Sequence, residues 1–459
     1  MNDIILKLKQ IVSAQNVLTD VEELYVYALD ATNKQKVENL PDVVVFAETV
    51  EQIQQVMKLA WENEIPVIAR GAGTNLVGAC AITKGGIVLN FSKMNKIIEI
   101  NQENLTARVQ AGVVVGKLQE EVEKLGLFYP PDPSNLKVST IAGSVALSSG
   151  GPRTFKYGST KDYVIDLKVV LADGRIINTG SNTAKNSTGY HLSQLFVGSE
   201  GTLGIVTNAL LKLIPKPEGS KVILAYFDKI SDAVHAVNVI LKNKLMPATL
   251  DIMDKKTLQT IEQFYPTGIL TDKEAALVIE VDGTLCSLDY QQEKVVELCT
   301  KNGASEVRFS KTDEEAQKIW TARRSAFGAC AKLKPNVVTE DVVVPREKIV
   351  ELVEGVQRIC EENNLIVCIM GHIGDGNIHP NIALDLRDDD EVKNYLKAKD
   401  EIHRLAVDLG GTLSGEHGIG CEKSKYINFA IDGVTLEYMQ KIKRVFDEKN
   451  ILNPGKIFE

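Results

Sequence analysis

The sequence predicts an α+β fold in two domains, and three observations carry that expectation. The chain has 459 residues, more than one compact core usually organises. Its first half alternates short strand-like and helical segments, whereas its second half sets longer helices between apolar strands. Between the two, Ile214-Pro215-Lys216-Pro217-Glu218-Gly219 concentrates residues that interrupt helix and strand alike, which marks a boundary. The expected organisation is a first domain at 1–217 with its core from about 38, and a second at 218–410. The second should hold an antiparallel sheet with helices on one face. A C-terminal segment, 411–459, should pack back on the first domain.

In chain order, Thr49 reads as a helix N-cap with Gln52 in the capping-box position, and Ile53, Val56, Met57 and Ala60 share one face of that helix. Strands are expected at 65–69, 87–90, 97–100 and 106–110, followed by a helix from 114 to 125. Glycine and proline are dense from Pro130 to Gly158. A strand pair then spans 164–171 and 175–178, with Asp173-Gly174 at its turn. Beyond the boundary, strands at 222–227, 276–281, 337–344 and 365–370 alternate with helices near 231–244, 287–302, 313–331, 346–362 and 390–409. A last helix near 434–449 ends before Asn453-Pro454-Gly455. Neither an internal repeat nor a low-complexity segment is visible.

Composition removes several classes of function. With 44% hydrophobic and 25% charged residues, the chain can bury a core, which argues against disorder. A net charge of −9 and no basic stripe argue against nucleic acid as a partner. The chain opens on an amphipathic stretch (Ile4, Ile5, Leu8, Ile11, Val12) instead of an apolar signal core. No apolar run nears the ~20 residues of a membrane span. The expected location is the cytoplasm, with peripheral membrane attachment as the alternative. Seven cysteines at 80, 286, 299, 330, 360, 368 and 421 form no C-x-x-C pair. Buried, reduced thiols are therefore expected, and any iron–sulfur cluster would belong to a partner.

Three segments are built from glycine and small hydroxylated residues. Arg70-Gly71-Ala72-Gly73-Thr74-Asn75-Leu76-Val77-Gly78 follows a strand. It fails as a dinucleotide fingerprint because its third glycine comes late and no helix pattern starts there. Pro130-Pro131-Asp132-Pro133-Ser134 leads into 139–151, and Leu195 to Gly204 forms the third segment. A single glycine-rich loop could be a tight turn, but three suggest one extended ligand lying against backbone.

A fourth motif carries different chemistry. In Gly371-His372-Ile373-Gly374-Asp375-Gly376-Asn377-Ile378-His379-Pro380-Asn381, a two-residue turn at Asp375-Gly376 would place Gly374 opposite Asn377, Ile373 opposite Ile378, and His372 opposite His379. Opposed residues share a face, so the two imidazoles could hold one cation, with Asn381 on the same face. Ser414-Gly415-Glu416-His417-Gly418 offers a carboxylate ligand in Glu416 and a candidate base in His417. Two histidines and one carboxylate leave coordination positions open, as in catalytic sites. A helix-capping loop is the alternative reading of that segment.

Together the segments Arg70–Gly78, Pro130–Ser134, Thr140–Gly151, Lys156-Tyr157-Gly158 and Gly198–Gly204 resemble the FAD-binding domain of the vanillyl-alcohol oxidase / p-cresol methylhydroxylase superfamily. The two histidine motifs, His-x-Gly-Asp-Gly-Asn-x-His and Gly-Glu-His-Gly, are similar to those of its D-lactate dehydrogenase and glycolate oxidase flavoprotein-subunit branch. The resemblance runs from about residue 38 to the C-terminus. It implies a two-part FAD-binding domain of the p-cresol methylhydroxylase type, a substrate (cap) domain, and a C-terminal segment that completes the active site. It implies that the loop from Arg70, through Gly71, Gly73, Thr74, Asn75 and Gly78, holds the FAD pyrophosphate. It places Pro131, Ser134, Thr140, Gly143, Ser144 and Gly151 along the flavin, and Glu200, Gly201 and Ile205 on the adenosine side. The first loop holds no histidine, so the expected FAD is non-covalent.

The same resemblance implies a divalent metal (Zn, Mn or Fe) on His372, His379 and Glu416. His417 would be the base, Arg323 in Trp320-Thr321-Ala322-Arg323-Arg324 would bind the substrate carboxylate, and Asn381 would join the catalytic group. The implied reaction oxidises a small 2-hydroxy acid, D-lactate or glycolate, to the 2-oxo acid. Some relatives carry a substrate-binding lysine near Thr339, and threonine there argues against a large dicarboxylate. No nicotinamide fingerprint is apparent, so the expected electron acceptor is an iron–sulfur or electron-transferring flavoprotein partner, or a quinone. An FAD-binding electron-transfer subunit of a larger complex and a D-2-hydroxyglutarate-type dehydrogenase are the alternatives.

Overall fold

The computed structural model describes residues 1–33 and 37–458. The chain divides into two compact units. One comprises Met1–Gly151, Gly158–Lys216 and Glu416–Glu459; the other comprises Pro152–Tyr157 and Pro217–Gly415.

The first unit contains two sheets. In the first sheet, β1 (Val17–Leu18), β2 (Val43–Phe46), β3 (Val67–Arg70) and β4 (Ile87–Asn90) lie in the order β1-β2-β4-β3. The last three run parallel. Parallel strands need cover, and the helix Val50–Asn63 supplies it by burying Ile53, Val56, Met57 and Ala60 beside Val43, Val45, Val67 and Leu89. Thr49 caps this helix by accepting a hydrogen bond from the Gln52 amide at 3.2 Å. Gln52 Oε1 returns to the Glu48 amide at 2.8 Å, one residue before the cap.

The chain continues through β5 (Ile97–Asn101), β6 (Thr106–Gln110), β7 (Leu127–Phe128), β8 (Val164–Val170), β9 (Ile176–Asn178), β10 (Ile205–Lys212) and β11 (Ile214–Pro215). Five of these form an antiparallel sheet, β5-β6-β10-β8-β9. Its apolar face packs on the helices Val115–Glu123 and Ile141–Leu147 through Leu118, Val122, Ile141 and Val145. β7 pairs with β11, so Ile214 and Pro215, read from the sequence as linker, belong to a strand.

The second unit is built on β12 (Gly219–Phe227), β13 (Thr249–Asp254), β14 (Ala275–Gly283), β15 (Ala304–Phe309), β16 (Asn336–Thr339), β17 (Val342–Val343), β18 (Ile366–His372) and β19 (Asn377–Leu384). The order is β15-β12-β14-β13-β18-β19-β16, with β17 also on β19, and every pairing is antiparallel. The α+β class and the antiparallel sheet are as the sequence indicates. Helices, however, cover both faces of this sheet, not one. Ile223, Ala225, Ile252, Ile279 and Ile378 face the helices Ile230–Lys242 and Ile349–Glu362. Leu224, Met253, Val278 and Met370 face Lys255–Phe264 and Asp313–Cys330. Strands with apolar residues at both parities, such as Val222 to Phe227, require this double cover.

The single strand expected at 337–344 is interrupted between β16 and β17. Both pieces keep one register on β19, because Thr339 pairs with Asn381 and Val342 with Ile378. The residue opposite the gap is Pro380, whose carbonyl accepts from the Glu340 amide at 2.9 Å. Proline has no N–H to return, so the ladder loses a rung there. The expected burial holds for Cys299, Cys330, Cys360 and Cys368, whereas Cys80 and Cys421 are half-buried and Cys286 is exposed.

Candidate active site

The first unit holds an open groove lined by residues of all three glycine-rich segments, the arrangement an extended ligand laid against backbone needs. Its lining includes Arg70, Gly71, Gly73, Thr74 and Asn75 from the first glycine segment, and Ser134, Thr140, Gly143 and Ser144 from the second. Glu200 and Gly201 of the third segment and Ile205 at the start of β10 join them, with Glu416 and His417. Gly78, Pro131 and Gly151 stand outside this lining. Gly78 abuts Cys421, the Pro131 carbonyl accepts from Gln119 Nε2 at 2.9 Å, and a Cβ on Gly151 would lie 2.3 Å from the Asp132 carbonyl oxygen. These three shape the loops around the groove.

The groove is narrow in side chains and rich in backbone. A Cβ on Gly71 would lie 2.3 Å from Thr140 Oγ1, and Gly73 has φ +68° with the Arg70 guanidinium against it. The Ser139 and Ser144 hydroxyls lie buried with no hydrogen-bond partner. Buried polar atoms are nearly always satisfied, so two such hydroxyls beside one groove fit a polar ligand that completes them. An extended phosphate-bearing cofactor suits this combination of close backbone, small side chains and unfilled hydroxyls. Cys80 also lines the groove, and burial, assisted by the nearby Asp30 carboxylate, pushes its thiol up to about 12. It therefore stays protonated and is a poor nucleophile.

Two residues expected to touch the cofactor also do something the sequence did not reveal. Asn75 Oδ1 accepts from the Val77 and Ala79 amides, while its Nδ2 donates to the His417 carbonyl at 2.9 Å. Glu200 accepts from the Ile419 and Gly420 amides at 2.7 and 2.8 Å. The two side chains thus hold the segment 417–420 against the groove. Gly418 and Gly420 have positive φ, and a Cβ on Gly420 would lie 1.9 Å from the Val77 carbonyl oxygen. Burial raises Glu200 to about 7 against the opposing pull of those two amides and of Lys456 and Lys423.

The second unit collects the remaining residues on the sheet face that packs against the helix Asp313–Cys330. The hairpin β18–β19 has a different register from the one expected. His372 pairs with Asn377 and Met370 with His379, so the turn spans four residues, Ile373 to Gly376, and His372 and His379 are diagonal neighbours. A two-residue turn of the expected type needs positive φ at both central residues, and only Gly376 has it, at +76°. Gly376 is held instead by β17: its carbonyl accepts from the Val344 amide at 3.1 Å, and a Cβ there would meet the Val344 carbonyl oxygen at 2.0 Å. The shift of two residues preserves parity, so both histidines keep the same face. Their ring centroids are 5.2 Å apart, within diagonal reach.

Each histidine has a buried carboxylate behind it. His372 Nδ1 lies 2.7 Å from Asp251 Oδ1, and His379 Nδ1 lies 3.7 Å from Asp341 Oδ1. Asp341 also accepts from Asn377 Nδ2 at 2.6 Å, Ser414 Oγ at 2.6 Å and the Gly415 amide at 2.9 Å. It therefore anchors the loop that precedes Glu416. A carboxylate hydrogen-bonded to an imidazole fixes the ring tautomer and is the usual support of a metal-binding histidine; Asp251 does this for His372, while Asp341 places a negative charge near His379, so this donor set fits a divalent cation. Arg323 is no solvated helix charge. Its Nε donates to Asp251 Oδ2 at 2.7 Å and its Nη1 approaches the Met370 sulfur at 3.3 Å. Burial alone would raise Asp251, but Arg323 and His372 outweigh it and hold the carboxyl below its usual range.

Asn381 is buried with its amide committed to protein. Its Nδ2 donates to the His379 and Cys368 carbonyls, and its Oδ1 accepts from Thr339 Oγ1. Sequence reasoning missed Asp251 and Asp341. One signal was present for Asp251: an acid in Leu250-Asp251-Ile252-Met253, a run otherwise apolar enough for a buried strand.

Comparison with known proteins identifies the family of the chain. A family described as FAD linked oxidases, C-terminal domain, matches residues 216–457, and an FAD binding domain matches residues 41–180. The glycolate oxidase subunit GlcD of Bacillus subtilis (strain 168) is 45% identical over 433 residues, covering 94% of this chain and 92% of the relative. A D-lactate dehydrogenase of Anaerostipes hadrus is 36% identical, covering 91% and 89%. Among solved structures, p-cresol methylhydroxylase with substrate bound superposes with a TM-score of 0.85 at 20% identity, covering 100% of this chain and 97% of that one. No helix among the described residues is long and apolar enough to cross a membrane.

Proposed function

The chain belongs to the FAD-linked oxidases, and we propose that it oxidises a small 2-hydroxy acid, D-lactate or glycolate, to the 2-oxo acid. The observation that carries this reading is the polar face of the second unit, where buried Asp251 joins His372 to Arg323 and His379 stands beside His372. An alcohol lacking a carboxylate would make no use of the terminal edge of the Arg323 guanidinium that Asp251 leaves over. The names of the relatives, a glycolate oxidase subunit and a D-lactate dehydrogenase, support the same substrate class.

FAD, held non-covalently in the glycine-lined groove, would supply the hydride acceptor, and a divalent metal would supply a Lewis acid for the hydroxyl oxygen. The first loop from Arg70 to Thr74, with Ser134, Thr140, Gly143 and Ser144, is assigned to the cofactor. His372 and His379 are assigned to the metal, with Glu416 as the third ligand that the Gly-Glu-His-Gly motif nominates. Arg323 pairs with the substrate carboxylate and orients the Cα–H bond. His417 takes the hydroxyl proton as Cα gives up its hydride, so R–CH(OH)–COO⁻ becomes R–CO–COO⁻ with one proton on the base. Asn381 has a supporting part: it fixes the His379 backbone. Asn75 and Glu200 hold the loop that carries His417. A partner subunit, an electron-transferring flavoprotein or a quinone would take up the two electrons released from the substrate.

The test is anaerobic bleaching of the flavin in purified protein by D-lactate, L-lactate, glycolate and 2-hydroxyglutarate. D-lactate or glycolate should bleach fastest. Bleaching by 2-hydroxyglutarate alone would move the substrate to the dicarboxylates in spite of Thr339, and bleaching by none would leave an electron-transfer subunit as the better reading.

A further inference from the structure

We propose that Asp251 is a positioning residue that couples the two substrate-binding devices of the second unit, the cation held through His372 and the carboxylate held by Arg323. This rests on the function proposed above and assigns a role to a residue that the sequence motifs do not contain.

The geometry is that of a bridge. Asp251 sits on β13 directly across from His372 on β18. It is fully buried, and each of its two oxygens has one cationic or polarisable donor. Oδ1 is 2.7 Å from His372 Nδ1, and Oδ2 accepts from Arg323 Nε at 2.7 Å. The donors come from places 121 and 72 residues away in the chain. A carboxylate is the smallest side chain that presents two acceptors in one plane, and here both are occupied.

Two consequences follow from each contact. Accepting from His372 Nδ1 fixes the ring proton on that nitrogen, so Nε2 is the atom turned to a metal, and the negative charge behind the ring strengthens it as a ligand. Accepting from Arg323 Nε occupies the side edge of the guanidinium and leaves the terminal Nη1 and Nη2 pair as the fork presented to a substrate carboxylate. The two effects draw on one charge. Neutralising it therefore damages both devices at once, whereas a lesion in either donor damages one.

Asparagine at 251 is the discriminating change because it keeps volume and loses one acceptor. If its oxygen faces His372, its NH₂ group meets the Arg323 Nε–H, and two donors oppose each other in a dry site. If its NH₂ faces His372, the imidazole must carry its proton on Nε2, which then cannot ligate a metal. No rotamer satisfies both.

The experiment measures two affinities on FAD-loaded protein: Mn²⁺ by equilibrium dialysis, and oxalate by calorimetry at saturating Mn²⁺. Asp251→Asn should weaken Mn²⁺ by about 10- to 100-fold, the usual cost of losing a carboxylate behind a ligating histidine, and oxalate by about 10-fold or more. Arg323→Met should weaken oxalate alone, and His372→Ala should weaken Mn²⁺ most. Asp251→Asn with both affinities at parental values overturns the inference, and so does a loss confined to one. A parental protein that binds no Mn²⁺, Zn²⁺ or Fe²⁺ overturns the proposed metal site itself, which is a different result. If the asparagine variant loses its fold, judged by circular dichroism and FAD content, Asp251→Glu carries the test. That variant keeps two acceptors and should retain part of both affinities. A folded glutamate variant with neither affinity, or failure of both variants to fold, would make Asp251 a structural residue and overturn the coupling.

Discussion

The glycine-lined groove of the first unit and the polar sheet face of the second are built by opposite means. The groove works by omission. Gly71 and Gly73 lack a Cβ where one would collide, and the Ser139 and Ser144 hydroxyls are left without protein partners. The sheet face works by saturation. Asp251, Asp341, His372 and Asn381 are buried, and each is tied into the protein: Asp251 to His372 and Arg323, Asp341 to Asn377 and Ser414, and Asn381 to Thr339 and the His379 carbonyl. Desolvating charges is costly unless each is paired, so a site of this second kind must be assembled as a network. A backbone groove needs no such mutual support. The difference teaches that substitutions in the groove should act locally, whereas those on the sheet face should spread to several functions.

The largest effect should come from the sheet face. Chelation, or His372→Ala, should abolish oxidation of the 2-hydroxy acid while FAD remains bound, since the groove draws none of its lining from the second unit. Flavin content and stopped-flow flavin reduction on the same sample decide this. Full activity in protein shown by elemental analysis to be metal-free would refute it, and loss of FAD along with the metal would erase the contrast between the two regions.

Next in size is the separation of two adjacent residues. His417→Asn should keep FAD and metal yet slow flavin reduction by roughly 10²-fold or more, the usual contribution of a positioned base. Glu416→Gln should instead weaken metal retention, because a neutral ligand replaces a charged one. Metal content read beside single-turnover reduction distinguishes them; the reverse pattern would mean that the roles are exchanged.

The smallest effect on turnover concerns the groove and its dependence on pH. Burial raises Glu200 from 4.5 to about 7, so the fold favours its protonated form. The stability it contributes is complete below about 4.5 and is lost as pH rises through 7, with a total of at most about 3 kcal/mol. Thermal unfolding followed from pH 5 to 8 should show the parent weakening with rising pH. Glu200→Gln should flatten that slope, at the expense of one acceptor for the Ile419 and Gly420 amides. A variant whose slope equals the parent's would show that Glu200 ionises in the fold as it does in solution.

Much of this was legible in the residues, and the reasons are physical. The glycine and hydroxyl segments announce themselves because a cofactor laid on backbone requires small residues in a row, a local property. The pairing of His372 with His379 on one face survived an error of two in the hairpin register, because side-chain direction in a strand depends only on parity. The turn itself was misjudged because its conformation is held from outside, by Val344 against Gly376. The break opposite Pro380 was visible as a proline, but which strand would lie across from it was not.

By itself, then, the sequence determined what periodicity and local chemistry control: the α+β class, the helix capped by Thr49, the three small-residue segments, and the common face of two histidines. Only the tertiary structure decided what lies behind those residues. Asp251 meets His372 across 121 positions of chain, and Asn75 reaches the His417 carbonyl across 342. Such partners are selected by which strands and loops become neighbours. That choice comes from burying whole apolar faces and carries no period that a short stretch of sequence could display.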